Sequence, residues 1–145
     1  MTMTLRVVVP PHPLIAHWLT VLRGESTPPP IFATGLEEIG RWLTYEALRD
    51  WVPHRQEQIK TLNGITEGVV IEASVPLFSV PINQGGFELW HGGRKVLPNS
   101  FLCSNGVPKT LKNNAGIFIY IDQIVTGEDL LKSLRILQTM KIEEK

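Results

Sequence analysis

The stretch Gly116-Ile117-Phe118-Ile119-Tyr120-Ile121-Asp122-Gln123-Ile124-Val125-Thr126-Gly127-Glu128-Asp129 decides how this chain folds. Gly116–Ile121 is almost wholly apolar and predicts a strand buried on both faces. Asp122–Glu128 has the polar, glycine-bearing composition of a loop. From Asp129 to Lys141, Leu130, Leu131, Leu134, Leu137 and Met140 recur at helical spacing. They predict an amphipathic helix with those side chains inward. Strand, loop and helix in that order are the unit of a parallel sheet with crossover helices, so the class is α/β.

The same unit recurs upstream. Val75–Ile82 is apolar and nearly uninterrupted, and predicts a second buried strand with Pro76 and Pro81 at its ends. Asn83-Gln84-Gly85-Gly86 reads as a loop and Phe87–Leu97 as a helix, which Gly92-Gly93 weakens. Ser100–Cys103 follows as a short strand and Ser104–Asn114 as a loop. Before the first buried strand, Ile59–Leu62, an Asn63-Gly64 turn and Gly68–Ala73 predict a hairpin, since Asn-Gly supplies positive φ angles.

The first third is helical. His12-Pro13 opens a helix whose Leu14, Ile15, Trp18, Leu19 and Leu22 share one face, and Gly24 stops it. Ser26–Pro30 is a stiff connection. Phe32, Leu36, Ile39, Leu43, Ala47 and Leu48 then mark a long helix over Ile31–Trp51, ended by Pro53. Trp42 and Tyr45 add a second apolar stripe, predicting contact with the body on one side and with another chain or arm on the other. No internal repeat and no boundary mark a second domain. The expected organisation is a single domain, with a helical arm and long helix in residues 1–57 and a partial α/β core in 58–145.

Composition excludes several classes. The 145 residues are 43% apolar, which rules out wholesale disorder. Fourteen basic residues balance fourteen acidic ones, so a broad nucleic-acid surface has no electrostatic footprint. No apolar run reaches the ~18 residues of a membrane span. Leu5–Val9 runs into Pro10 and Pro11 without the charged leader or cleavage site of a signal peptide. The single cysteine, Cys103, forbids an internal disulfide and a Cys-rich zinc site. The expectation is a soluble intracellular protein of the cytoplasm, or of the plastid stroma if plastid-encoded.

In open α/β sheets ligands collect at the carboxyl ends of the strands. Two loops lie at such ends, Asn83–Gly86 and Asp122–Glu128. In the second a strand delivers Asp122, and Thr126-Gly127 lead into a helix N-terminus. A hydroxyl, a glycine and free N–H groups suit a phosphate. The same residues equally suit a turn with a threonine N-cap. His12, His17, His54 and His91 have no partners at ligand spacing, so no metal site is expected, and Cys103 reads as a small apolar filler. Trp18, Trp42, Tyr45 and Trp51 are the interface candidates.

Two stretches carry a family resemblance: Val7-Val8-Val9-Pro10-Pro11-His12-Pro13-Leu14-Ile15-Ala16-His17-Trp18-Leu19-Thr20 and Gly40-Arg41-Trp42-Leu43-Thr44-Tyr45-Glu46-Ala47-Leu48-Arg49-Asp50-Trp51. With Val80-Pro81-Ile82 and Val96-Leu97-Pro98, they resemble the uracil phosphoribosyltransferases of the type I phosphoribosyltransferase fold, in the cyanobacterial branch. The resemblance implies an incomplete version of that parallel sheet with an N-terminal helical arm. It also implies pyrimidine salvage chemistry, in which uracil and 5-phosphoribosyl diphosphate (PRPP), with Mg²⁺, give UMP and pyrophosphate.

Against the family's motifs, several positions differ. Gln84 stands where the family has an arginine on the diphosphate, and a neutral amide cannot replace a bidentate guanidinium. Gly86 is kept, and Gly85 stands where the family has an alanine. The arm between Pro98 and Gly116 lacks the family's charged motif. In the PRPP loop Thr126 and Gly127 remain. In a gap-free alignment the family's leading acid falls on Ile121 and its proline on Asp122, where other phosphoribosyltransferases carry a second acid that faces the ribose hydroxyls. Glu128 and Asp129 replace a glycine and a hydroxyl residue. A carboxylate roughly 5 Å from the sugar phosphate repels it by on the order of 3 kcal/mol at an effective dielectric of about 20. The same acids suit a helix N-terminus. The family also continues past this helix to a region that recognises uracil, whereas this sequence ends at Lys145.

These differences lead to the expectation of a truncated, degenerate homologue that has lost catalysis and serves in assembly, as a homo-oligomer or with a heteromeric protein partner. No nucleic acid and no cofactor are expected in that case. Mg²⁺ and PRPP belong to the alternative of an active transferase, alone or completed in trans. A weak phosphate or nucleotide sensor is the other alternative.

Overall fold

The computed structural model describes residues 6–143 apart from Pro98 and Asn113. Helix α1 (Pro13–Arg23) starts where proline needs no N–H partner, and the His12 Nδ1 accepts the Leu14 N–H at 3.1 Å as its cap. Ile15 is its buried residue, whereas Leu14 is half exposed. Helix α2 (Pro29–Leu48) starts earlier than expected. Pro29 and Pro30 stand in its first turn, where no intrahelical N–H bond is lost. It also ends at Leu48, short of Trp51.

Strands β1 (His54–Thr61) and β2 (Gly64–Ile71) form the hairpin, longer than predicted and with the turn moved by one residue. Thr61 pairs with Gly64, so Leu62 and Asn63 make the turn. Only Gly64, at φ 125°, takes a positive φ there. The glycine alone therefore supplies what was expected of Asn63 and Gly64 together.

Strands β3 (Leu77–Pro81), β4 (Ser100–Leu102) and β5 (Gly116–Tyr120) form a parallel sheet in the order β4-β3-β5. The α/β class and the parallel sheet are thus as read from the sequence. Central β3 is buried, with Ser79 and Val80 fully so, and the prolines flank or end it as expected. Helix α3 (Asn83–Gly93) corrects the sequence reading: Asn83–Gly86 is its first turn, not a loop. Helix α4 (Glu128–Glu143) half-buries Leu130, Leu134 and Leu137. Leu131 is 49% exposed and Ser133 is buried in its stead. The reason is angular: Leu130, Ser133, Leu134 and Leu137 share one helical face and Leu131 lies about 100° off it. The Met140 side chain lies outside the described residues.

The main core cluster joins Ile15, Leu36, Ile39, Leu89 and Tyr120, with Trp18, Trp42 and Trp90 packed on it. A second cluster holds Leu48, Leu77 and Leu97. α2 and α3 meet through glycine. A Cβ on Gly40 would strike the Leu89 backbone, and one on Gly92 the Glu37 carbonyl. Gly40 and Gly92, each of which lowers helix propensity, are what lets the two helices approach backbone to backbone.

Candidate functional site

β3 hands over to α3 through one unusual residue. Asn83 has φ 61°, the only left-handed non-glycine among the described residues. Asparagine tolerates that region better than most residues. The resulting sharp turn starts α3 at the carboxyl end of the sheet. The Ile82 N–H donates to the Tyr120 carbonyl at 2.8 Å, tying this turn to the end of β5. The first intrahelical bond runs from the Gly86 N–H to the Ile82 carbonyl, 3.2 Å. The N–H groups of Asn83, Gln84 and Gly85 precede it, at the positive end of the helix dipole.

Gly85 and Gly86 bring the two strand ends together. A Cβ on Gly85 would occupy the place of the Asp122 carboxylate, and one on Gly86 would strike the Tyr120 carbonyl. Asp122 is thereby seated against the first turn of α3. The two strand ends and the start of α2 enclose a cavity of about 380 Å³, lined by Thr27, Phe32, Gln84, Gly85, Glu88 and Asp122 among others. Its charged lining is acidic, and the Glu88 carboxylate lies 3.4 Å from the His91 Nδ1.

The second loop is organised differently. Gly127 is left-handed at φ 77° and its carbonyl accepts the Leu131 N–H at 2.8 Å. The Thr126 hydroxyl accepts the Glu128 N–H at 3.4 Å. Glu128 and Asp129 fill the first turn of α4 and are exposed. Of the residues singled out in the sequence, the structure therefore gathers Gln84, Gly85 and Asp122 around one cavity. Gly86 lies beneath them, while Thr126, Gly127, Glu128 and Asp129 stand outside its lining.

Sequence reasoning missed Thr27, Phe32 and Glu88. The first two, at and just before the start of α2, reach the site only because α2 packs across α3, which no local pattern announces. The left-handed Asn83 carried a weak signal, its residue type at a strand end.

The other candidates fall elsewhere. Trp18 and Trp42 pack against the main cluster, Trp42 also stacking on His12 at 6.3 Å. Tyr45 is 59% and Trp51 43% exposed, the latter against Phe118. Burial raises the Cys103 thiol pKa, which makes it a poorer nucleophile. Among the described residues no three His, Cys, Asp or Glu side chains cluster as metal ligands.

A parallel sheet with two turns converging at its strand ends is the frame of the phosphoribosyltransferase-like fold. The solved AQ2163 protein of Aquifex aeolicus has the same shape, with a TM-score of 0.77 and 25% identity over 92% of this chain and 70% of that one. The family described as uracil phosphoribosyltransferase matches residues 9–123. A protein named uracil phosphoribosyltransferase from Nostoc is 48% identical, covering 92% of this chain and 69% of the relative. One so named from Synechocystis is 34% identical, over 99% and 74%. The chain belongs to the uracil phosphoribosyltransferase family, in its cyanobacterial branch.

Proposed function

We propose that the chain works in the uracil phosphoribosyltransferase reaction, its strand-end cavity holding the PRPP donor. The observation that carries this reading is Asp122 seated on Gly85 beside the free N–H groups of α3. The Asp122 carboxylate accepts hydrogen bonds from the ribose hydroxyls. The N–H groups of Asn83, Gln84 and Gly85 and the helix dipole meet the diphosphate, doing part of what the family's arginine does. The amide of Gln84 adds a neutral donor. Relatives that bear the transferase name, one at 48% identity, favour this reading over the expectation of lost catalysis.

The residues present fit Mg²⁺, which takes one or two carboxylates and draws its other ligands from substrate and water. Asp122 supplies one such oxygen donor at the open strand end. When bound, Mg²⁺ supplies charge compensation for the departing diphosphate. What this chain does is hold the ribose from Asp122 and orient the diphosphate on α3, leaving C1 of the ribose open to the uracil nitrogen.

The test is formation of UMP and pyrophosphate from uracil, PRPP and Mg²⁺. The reading expects product in proportion to added chain, alone or with the rest of a uracil site supplied separately, and loss of product in Asp122→Asn. Turnover unaffected by Asp122→Asn rejects this site as the donor site. Action in the cytoplasm or plastid stroma is part of the proposal; no described helix is long and apolar enough to cross a membrane.

A second reading is an assembly protein without turnover. It is favoured by Glu128 and Asp129, two carboxylates in the first turn of α4 at positions where the family's phosphate loop has a glycine and a hydroxyl residue, and by Thr126, whose hydroxyl accepts from its own helix. A chain that neither binds PRPP nor forms UMP, yet elutes as a stable oligomer, fits this second reading.

A further inference from the structure

We infer that Thr44 and Tyr120 are a positioning pair that sets the width of the strand-end cavity, an inference that rests on the donor-site reading above. The Thr44 hydroxyl donates its one proton to the Gly40 carbonyl at 2.7 Å. The Tyr120 hydroxyl, 3.1 Å away, must therefore donate to Thr44. Thr44 is 2% exposed and Tyr120 7%. Room for the pair exists because residue 93 is glycine, where a Cβ would strike both hydroxyls. Among the described residues it is the one side-chain hydrogen bond between α2 and the sheet.

Tyr120 holds the site from both ends of the residue. Its side chain ties down α2, and its carbonyl accepts the Ile82 N–H at the turn into α3. Asp122 follows two residues later. On the other wall, Leu36 and Phe32 stand on α2, eight and twelve residues before Thr44, so about 12 and 18 Å along the helix. A helix fixed at Thr44 presents those side chains at a set distance from Asp122. The packing of Leu36 and Ile39 on Leu89 and the close approach at Gly40 and Gly92 hold α2 to α3. To β5, α2 is joined by the hydroxyl pair, without which small sliding and rotation over the sheet are permitted. Burial raises the Tyr120 pKa, so the phenol stays a neutral donor at working pH.

A merely structural pair, satisfying two buried hydroxyls, would affect global stability and nothing else. The test compares Tyr120→Phe, Thr44→Val and the double variant by donor KM, kcat and amide hydrogen exchange. The positioning role expects a three- to tenfold rise in KM for PRPP with kcat within about twofold. It expects the double variant to be no worse than either single one. Thr44→Ser, which keeps the hydroxyl, rescues the KM. Exchange at the Ile82 and Gly86 amides accelerates about tenfold while the β1–β2 hairpin is unchanged. Folded variants with unchanged donor KM, or exchange that accelerates evenly throughout, overturn the inference. If the unaltered chain forms no UMP either alone or with the rest of a uracil site supplied, the proposed function fails by itself, and the exchange pattern alone decides for or against the pair.

Discussion

Gly85 is the residue on which the site turns, because the Asp122 carboxylate fills the place of its missing Cβ. Gly85→Ala must push Asp122 aside or push α3 off the sheet. It is expected to weaken PRPP binding at least tenfold in a titration and to cost about 2 kcal/mol in denaturant unfolding. The acidic pair works in the opposite sense. Glu128→Gly with Asp129→Ser removes two negative charges from the first turn of α4, outside the cavity lining but in the loop that follows Asp122. Both side chains are exposed, so salt and solvent screen the repulsion, and tightening of about tenfold at low salt is the expected calorimetric result. Asp122, Gln84 and Gly85 were legible in the sequence because strand, loop and helix order alone puts them at strand ends. Thr27 and Phe32 were not, since their place depends on how a distant helix crosses. The Thr126 hydroxyl was legible as two alternatives, and the structure places it on its own helix's N–H.

Among the elements, the α2–α3 crossing governs how the cavity is walled. Alanine exceeds glycine in helix propensity by about 1 kcal/mol, so a helix considered alone would gain from Gly92→Ala. Here the added methyl meets the Glu37 carbonyl, a backbone atom that cannot swing away. A net loss of about 3 kcal/mol or more is expected in chemical unfolding. The sequence showed the weak propensity of Gly92-Gly93 but not its use, because a close approach is a property of two helices. Lys95, just past α3, also binds Glu37 of α2, and this hydrogen bond with the lysine charge holds the glutamate pKa below its usual range. The folded-state pKa lies below the unfolded one. The pair's contribution is therefore complete above the ordinary glutamate range, and is lost as pH falls through about 4 and below. Melting temperature followed over pH 2.5–7 should show a flatter acid limb in Glu37→Gln than in the unaltered chain.

At the scale of the molecule, two surfaces call for cover. β5 pairs with β3 on one side only among the described residues. The β1–β2 hairpin is exposed along nearly all its length, with Ile65 at 74% and Val69 at 61%. A two-stranded ribbon is marginal by itself, and an open strand edge invites pairing. A dimer or larger oligomer is the expected outcome of size-exclusion chromatography with light scattering, and a stable monomer at high concentration counts against it. The strand–loop–helix unit made β5 legible in the sequence, but β1 reads too short there, because His54–Gln58 are polar and an exposed ribbon has no buried face to mark it.

Calorimetric titration of PRPP with Mg²⁺ into the chain and into Asp122→Asn tests the donor site most directly. Saturable binding in the unaltered chain, weakened at least tenfold by the substitution, is the predicted result. No binding, or equal binding by both, contradicts the assignment of the donor to the ends of β3 and β5.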